Sequence, residues 1–278
     1  MPVKIVTDSA ADLTPEQARD NDVTVVPLTI RFGDDEYVDG VDLDAQGFYD
    51  KMAATDVLPA TAAPSPGAFE QAFRDAGANG DPVVCINLSS ALSATMQSAQ
   101  TAAKAIGDEI NLHVVDSRSI TGGQGLQVLA AAKAAQEGAS AEEIVALVES
   151  LSTRTKVFGA LNTLDNLKKG GRIGGAEAMI GSMLSIKPII DISSGSVEKA
   201  GKPRTRSKAF AWLRDRLFEA GEVENLAVLH GCADDFEELI ELISPRYSRD
   251  QITVWTIGPI IGSHGGPGVA GLVWQEPA

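Results

Sequence analysis

Short apolar runs rich in β-branched residues alternate along this chain with longer amphipathic stretches. The runs cover residues 3–6, 23–30, 83–88, 112–115 and 157–161. Each has strand length and polar or turn-forming flanks. Helix starts are legible between them. Thr14-Pro15-Glu16 offers a cap and a first-turn proline, and Ser65-Pro66 repeats that arrangement ahead of Phe69, Ala72 and Phe73. Ser140-Ala141-Glu142-Glu143 reads as a capping box before Ile144, Leu147, Val148 and Leu151. Such strand–helix alternation predicts an α/β fold with a mostly parallel sheet covered by helices on both faces.

The second half has a different rhythm. Residues 188–192 and 196–199 read as two strands around the turn Ser194-Gly195. Residues 208–220 form a helix pattern whose apolar face holds Trp212, Leu213, Leu217 and Phe218. Strand patterns at 226–230, 251–257 and 269–273 enclose a helix pattern at 234–243. These predict a mixed sheet. The chain is therefore read as two α/β domains in firm contact. Residues 1–160 form an α/β/α layer domain and residues 161–278 a second domain with a mixed sheet. The stretch 30–63 is left free to pack across both, and a cleft between domains is a natural ligand site.

Composition narrows the function classes. At 278 residues, with 44% apolar and 22% charged, the chain belongs with globular proteins rather than disordered tails or fibres. Its formal charge of 23 − 38 = −15 argues against duplex nucleic acid or an anionic membrane as main partner. Cys85 and Cys232 form no legible disulfide framework, so a reduced, cytoplasmic protein is expected. The first residues enter a strand pattern at once, which predicts no signal peptide. The longest apolar run, near residues 179–192, is broken by Ser182, Ser185 and Lys187, so no integral membrane segment is expected.

Several tempting motifs fail on their mechanics. Gly195 to Gly201-Lys202 lacks the glycine spacing of a phosphate loop and has Pro203 where a magnesium-binding hydroxyl belongs. Gly123-Gln124-Gly125 lacks the third glycine of a dinucleotide fingerprint, because Val128 stands there. The acidic stretch 35–40 has Tyr37 and Gln46 at two calcium-ligand positions, and reads as a solvated loop. His113, His230 and His264 share no zinc spacing, and no G-x-S-x-G elbow occurs. No metal or cofactor is expected.

What survives is a set of small polar segments at strand ends and helix starts. These are Thr61-Ala62-Ala63-Pro64-Ser65, residues 89–95 around Ser93, Asp116-Ser117-Arg118-Ser119, and the Gly/Pro-rich loop 258–268 carrying His264. Ligands gather at the carboxyl ends of parallel strands, and free amides at a helix start attract anions. Hydroxyls of Thr61 and Ser93 would add neutral donors. Alone, this describes an α/β protein binding a small anion. A hydrolase or acyltransferase using Ser93 with His264 stays open beside it, as does a small-anion sensor.

Taken in order, these segments resemble the DegV family nearly end to end. The opening Lys4-Ile5-Val6-Thr7-Asp8-Ser9, the pieces Thr61-Ala62-Ala63-Pro64-Ser65 and Leu92-Ser93-Ala94-Thr95, then Gly170-Gly171-Arg172-Ile173, Ser185-Ile186-Lys187-Pro188 and His264-Gly265-Gly266-Pro267-Gly268 carry the resemblance. Ala62, Ala94, Met96 and Pro203 depart from the family's usual Ser, Gly, aromatic and Val. The resemblance implies a non-enzymatic subunit that buries a long-chain fatty acid and presents its carboxylate to a separate ATP-dependent fatty-acid kinase, which makes the acyl phosphate. Thr61, Ser93 and His264 are then expected to hold the carboxylate, and Arg172 and Arg204 to contact phosphate or the partner. A long acyl chain needs an apolar tunnel, and the segment 176–184, with Met179, Ile180, Met183 and Leu184, is a candidate wall.

Overall fold

The structure, a computed structural model, describes residues 2–180 and 186–278. In chain order the strands are β1 (Lys4–Asp8), β2 (Val23–Val26), β3 (Thr29–Phe32), β4 (Asp35–Val38), β5 (Ala60–Ala62), β6 (Val83–Asn87) and β7 (Leu112–Asp116). They continue as β8 (Thr155–Ala160), β9 (Ile189–Asp191), β10 (Glu198–Gly201), β11 (Glu224–His230), β12 (Thr253–Thr256) and β13 (Ala270–Gln275). Among the described residues they form three sheets. The first, in the order β2-β1-β6-β7, is parallel throughout. The second, β10-β9-β8-β13-β11-β12, is antiparallel except between β11 and β12. A small antiparallel sheet, β4-β3-β5, completes the set. The α/β class and the parallel and mixed sheets expected from the sequence are all present.

The parallel sheet is buried on both faces. Val83 and Cys85 of β6 pack with Phe69 and Phe73 of the helix Pro66–Ala76 and with Ala99 and Ile106 of the helix Thr95–Ile106. Val84 and Ile86 point the other way, toward Val128 and Ala132 of the helix Thr121–Gln136 and Ile144 and Val148 of the helix Ala141–Arg154. That period-two split is what a sheet with helices on both sides requires. The capping box at Ser140 forms as read, and the cap read at Thr14 is also a full capping box, closed by Gln17.

The helix Thr121–Gln136 lies between the two large sheets. Its first turns carry Gly122, Gly123 and Gly125, all buried. A Cβ at Gly123 would sit 2.6 Å from Val157 Cγ2, and one at Gly122 would sit 2.8 Å from Leu229 Cδ2. The glycines that fail as a dinucleotide fingerprint thus let this helix press directly onto the mixed sheet. The mixed sheet's opposite face is covered by the helices Arg206–Ala220 and Phe236–Ile243 through Phe210, Leu213, Leu239 and Ile243.

Three readings need correction. The run 23–30 is two strands, because Pro27 has no N–H to give a ladder and turns the chain between β2 and β3. The acidic stretch 35–40 is mostly strand β4, closed on β3 through Gly33-Asp34 with Gly33 at φ +62°. The Gly/Pro-rich loop 258–268 holds the helix Pro259–Gly265, with Pro259 in its first turn. His264 is therefore fixed in a helical last turn rather than on a pliable loop.

The layers are tied by polar bonds. Ser89, in the loop after β6, donates to Gly195 O in the β9–β10 turn at 2.5 Å, and Arg118 donates to Ser194 O at 3.0 Å. Tyr49, in the helix Ala45–Ala54, donates to Ile257 O after β12 at 3.2 Å. Among the described residues no helix is long and apolar enough to cross a membrane.

Candidate functional site

A cavity of about 310 Å³ lies where the carboxyl end of the parallel sheet meets the mixed sheet and β5. Its walls are mainly apolar, among them Leu28, Ile120, Val157, Ile190, Leu229, Ile257, Ile260 and Val269. Polar side chains enter at Thr61, Ser93, Thr121, Arg172 and His264. The size and the mix of a dry body with a few convergent polar groups are those of a small-molecule site.

Each polar group is held by its own element. Thr61 is the middle residue of β5, paired with Ile30 of β3, and its Oγ1 lies 3.1 Å from His264 Nε2. Ser93 ends a tight turn in which Leu92 N and Ser93 N both donate to Ser89 O. Its Oγ lies 2.9 Å from Thr95 Oγ1 and accepts from Thr95 N at 3.2 Å, just ahead of the helix Thr95–Ile106. Arg172 follows the short helix Asp165–Lys169. It donates from Nε to Leu92 O at 3.1 Å and from a terminal nitrogen to Gly170 O at 2.7 Å. It therefore ties its own segment to the turn bearing Ser93.

Burial, followed by the nearby Arg172 cation, pushes the His264 imidazole down to about 4. It is neutral at physiological pH. Its Nδ1 is buried without a hydrogen-bond partner and lies over Gly170, where a Cβ would come within 2.4 Å. Asn166 pins this arrangement by donating to Ser263 O at 3.2 Å. A hydroxyl and a neutral imidazole, with a guanidinium near by, suit an anionic headgroup that must stay hydrogen-bonded as it leaves water. The hydrolase reading fares worse. Ser93 is engaged with Thr95 while His264 is engaged with Thr61, so the serine–imidazole bond that activates a nucleophile is not made.

The structure brings Thr61, Ser93, His264 and Arg172 to one cavity. Arg204 is exposed and is not among the lining residues. Met179 is buried in the core beside the cavity without lining it, and Ile180 is 42% exposed. Met183 and Leu184 lie outside the described residues. The lining that the sequence reading missed comes from β8, β9, β11 and β13. Val157 and Gly159, two apart in β8, share one strand face, but nothing in the sequence marks that face as a cavity wall.

A second polar cluster sits apart from the cavity. Asp8, Asp12 and Asp39 converge beside the segment that leads into the helix bearing His264. Burial raises all three carboxyls, and the charge of neighbouring carboxylates adds to it at Asp12 and Asp39, with Asp39 pushed up to about 7. Among the described residues no cluster of His, Cys, Asp or Glu is arranged to hold a metal ion.

The fold and the segments above have relatives. The family model described as "Uncharacterised protein, DegV family" matches residues 2–276. The chain belongs to the DegV family. A DegV domain-containing protein of Deinococcus radiodurans is 36% identical over 281 residues, covering 99% of each chain. Among solved structures, a DegV family protein from Thermus thermophilus, described by its fatty acid binding, superposes with a TM-score of 0.92 at 31% identity over 100% of both chains. A stearic-acid-binding protein from Eubacterium ventriosum gives 0.85 at 28% identity, over 99% of this chain and 98% of its own. DegV relatives of this kind thus include proteins described as binding fatty acids.

Proposed function

We propose that this protein binds a long-chain fatty acid, with the carboxylate at Thr61, Ser93 and His264 and the tail in the apolar cavity. The carrying observation is one continuous space with hydroxyls and a neutral imidazole at its polar part and aliphatic strand residues around the remainder. Each buried methylene contributes about 0.8 kcal/mol, so a long tail supplies most of the affinity and the headgroup sets its direction. The fatty-acid binders among its DegV relatives support the same reading.

The finer part of the proposal is presentation. The bound carboxylate is offered to a separate ATP-dependent kinase, which transfers the phosphoryl group, so this chain supplies binding rather than catalysis. Arg172 suits that role because it lines both the cavity and an adjoining polar groove formed by the 90–100 segment. Arg204, exposed outside the cavity, is assigned to phosphate or partner contact.

Two experiments test these parts. Native mass spectrometry and lipid extraction of the purified protein are expected to find a bound fatty acid. Ser93→Ala is expected to weaken binding of the acid about tenfold, with the matching long-chain alcohol changed far less, because a hydrogen bond to a charged group is worth about 1.5–3 kcal/mol. Equal losses for both ligands contradict the headgroup assignment. Arg204→Ala is expected to keep lipid binding within about twofold while slowing acyl-phosphate formation by the kinase. A variant that loses its lipid contradicts that role.

A further inference from the structure

Within the cavity wall, β8 and β13 place Gly159 directly opposite Gly271. Gly159 also pairs with Ile190 of β9, and Gly271 with Leu229 of β11. All four line the cavity. One row across four strands therefore reads Ile190, Gly159, Gly271, Leu229, with side chains at its ends and none at its centre. The next row on the same face, Val157 opposite Val273, is filled, and Val157 lies pressed beneath Gly123. The glycine pair makes a trough just short of that closed end.

The two glycines are not equivalent. A Cβ on Gly271 would lie 2.1 Å from Phe158 O, so close backbone approach demands glycine there. A Cβ on Gly159 would meet only Ile190, at 3.6 and 4.0 Å, which is ordinary contact. Gly159 does not have positive φ. Neither backbone nor neighbours require glycine at 159, and glycine weakens a strand interior. Gly159 also keeps accessible surface although it lies in an interior strand whose residues Val157, Phe158 and Ala160 are buried. That surface opens onto the cavity.

We infer that Gly159 determines specificity: its absent side chain is the room taken by the distal part of a long acyl chain, and it sets the longest chain accepted. This rests on the fatty-acid reading above. The headgroup end adjoins Val269, whose side chain lies beside Gly265. The glycine row lies beyond it, at the second residue of β13. Short acids end before or at the row, and long ones must cross it.

The test compares straight-chain fatty acids of eight to eighteen carbons on delipidated wild type, Gly159→Ala and Gly159→Val. Wild type is expected to gain affinity with each added pair of carbons across the series. Gly159→Val is expected to follow wild type for the short acids and then level off. The eighteen-carbon acid should bind on the order of fiftyfold more weakly, since about three methylenes at roughly fourfold each lose their place. Gly159→Ala, which adds one atom in ordinary contact, is expected to fall between. Delipidated Gly159→Val should melt no lower than wild type, which reports an intact fold. Curves offset equally at every length, or superimposed throughout, overturn the inference. Wild type binding none of the acids defeats the fatty-acid reading itself, a failure visible without any variant.

Discussion

Gly170→Val will cost the protein tenfold to a hundredfold in affinity for a long-chain carboxylic acid, and will leave its affinity for the corresponding alcohol far less changed. The substitution does not touch the cavity, because Gly170 does not line it. It acts through His264. A Cβ at Gly170 would sit 2.4 Å from Nδ1, 2.9 Å from Cε1 and 3.0 Å from Asn166 O. The imidazole has to swing away, and the Thr61 Oγ1–His264 Nε2 contact at 3.1 Å goes with it. Gly170 has φ −75°, so the backbone itself accepts a side chain. Isothermal titration with the two ligands decides the matter. Undiminished binding of the acid would mean that the imidazole is not part of the headgroup site.

Asp39→Asn is expected to stabilise the protein by on the order of 4 kcal/mol at pH 8 and by only about 1.5 kcal/mol at pH 5. Asp39 is 6% exposed, accepts a hydrogen bond from Ser9, and faces the charge of Asp8. With its carboxyl raised to about 7, the folded protein holds a proton that the unfolded chain releases near 4. Stability from this group is complete below the unfolded value and is lost as pH rises through 7. Asn imitates the protonated form and removes that loss. His264 has the opposite sign. Its value falls to about 4 on folding, so its contribution is complete above 6.5 and is lost as pH drops toward 4. Thermal melts across pH 5–8 read the difference. An equal shift of the variant at both ends would show that packing, not ionisation, is responsible.

Much of the fold was legible because local rules and tertiary demands agree. The cap and first-turn proline at Thr14-Pro15, the capping box at Ser140 and the short apolar run 83–88 each point to the element that forms. The errors have physical causes. Residues 23–30 are apolar almost without break, so hydropathy alone joins two strands that the missing N–H of Pro27 separates. The helix bearing His264 was obscured because glycine and proline lower helix propensity, while Pro259 in the first turn is well tolerated.

The candidate site was legible differently. Thr61, Ser93 and His264 come from three distant segments, and only the order of motifs along the chain links them before the fold does. The apolar lining was less visible. Val157, Ile190 and Leu229 look like any core residues in sequence. Only the register of β8, β9, β11 and β13 shows which of their faces borders the cavity. Gly159 is the sharpest case, since a strand glycine by itself says nothing about what fills the space above it.

The cavity is cut into the same apolar cluster that joins the mixed sheet to Phe48 and Tyr49, instead of lying in a surface groove. A tail bound there becomes part of the molecule's interior. Loaded and unloaded molecules then bury different amounts of hydrocarbon and differ in the heat capacity released on unfolding. In a calorimeter, a preparation only partly charged with lipid would separate into two melting populations, and their proportions would report occupancy directly.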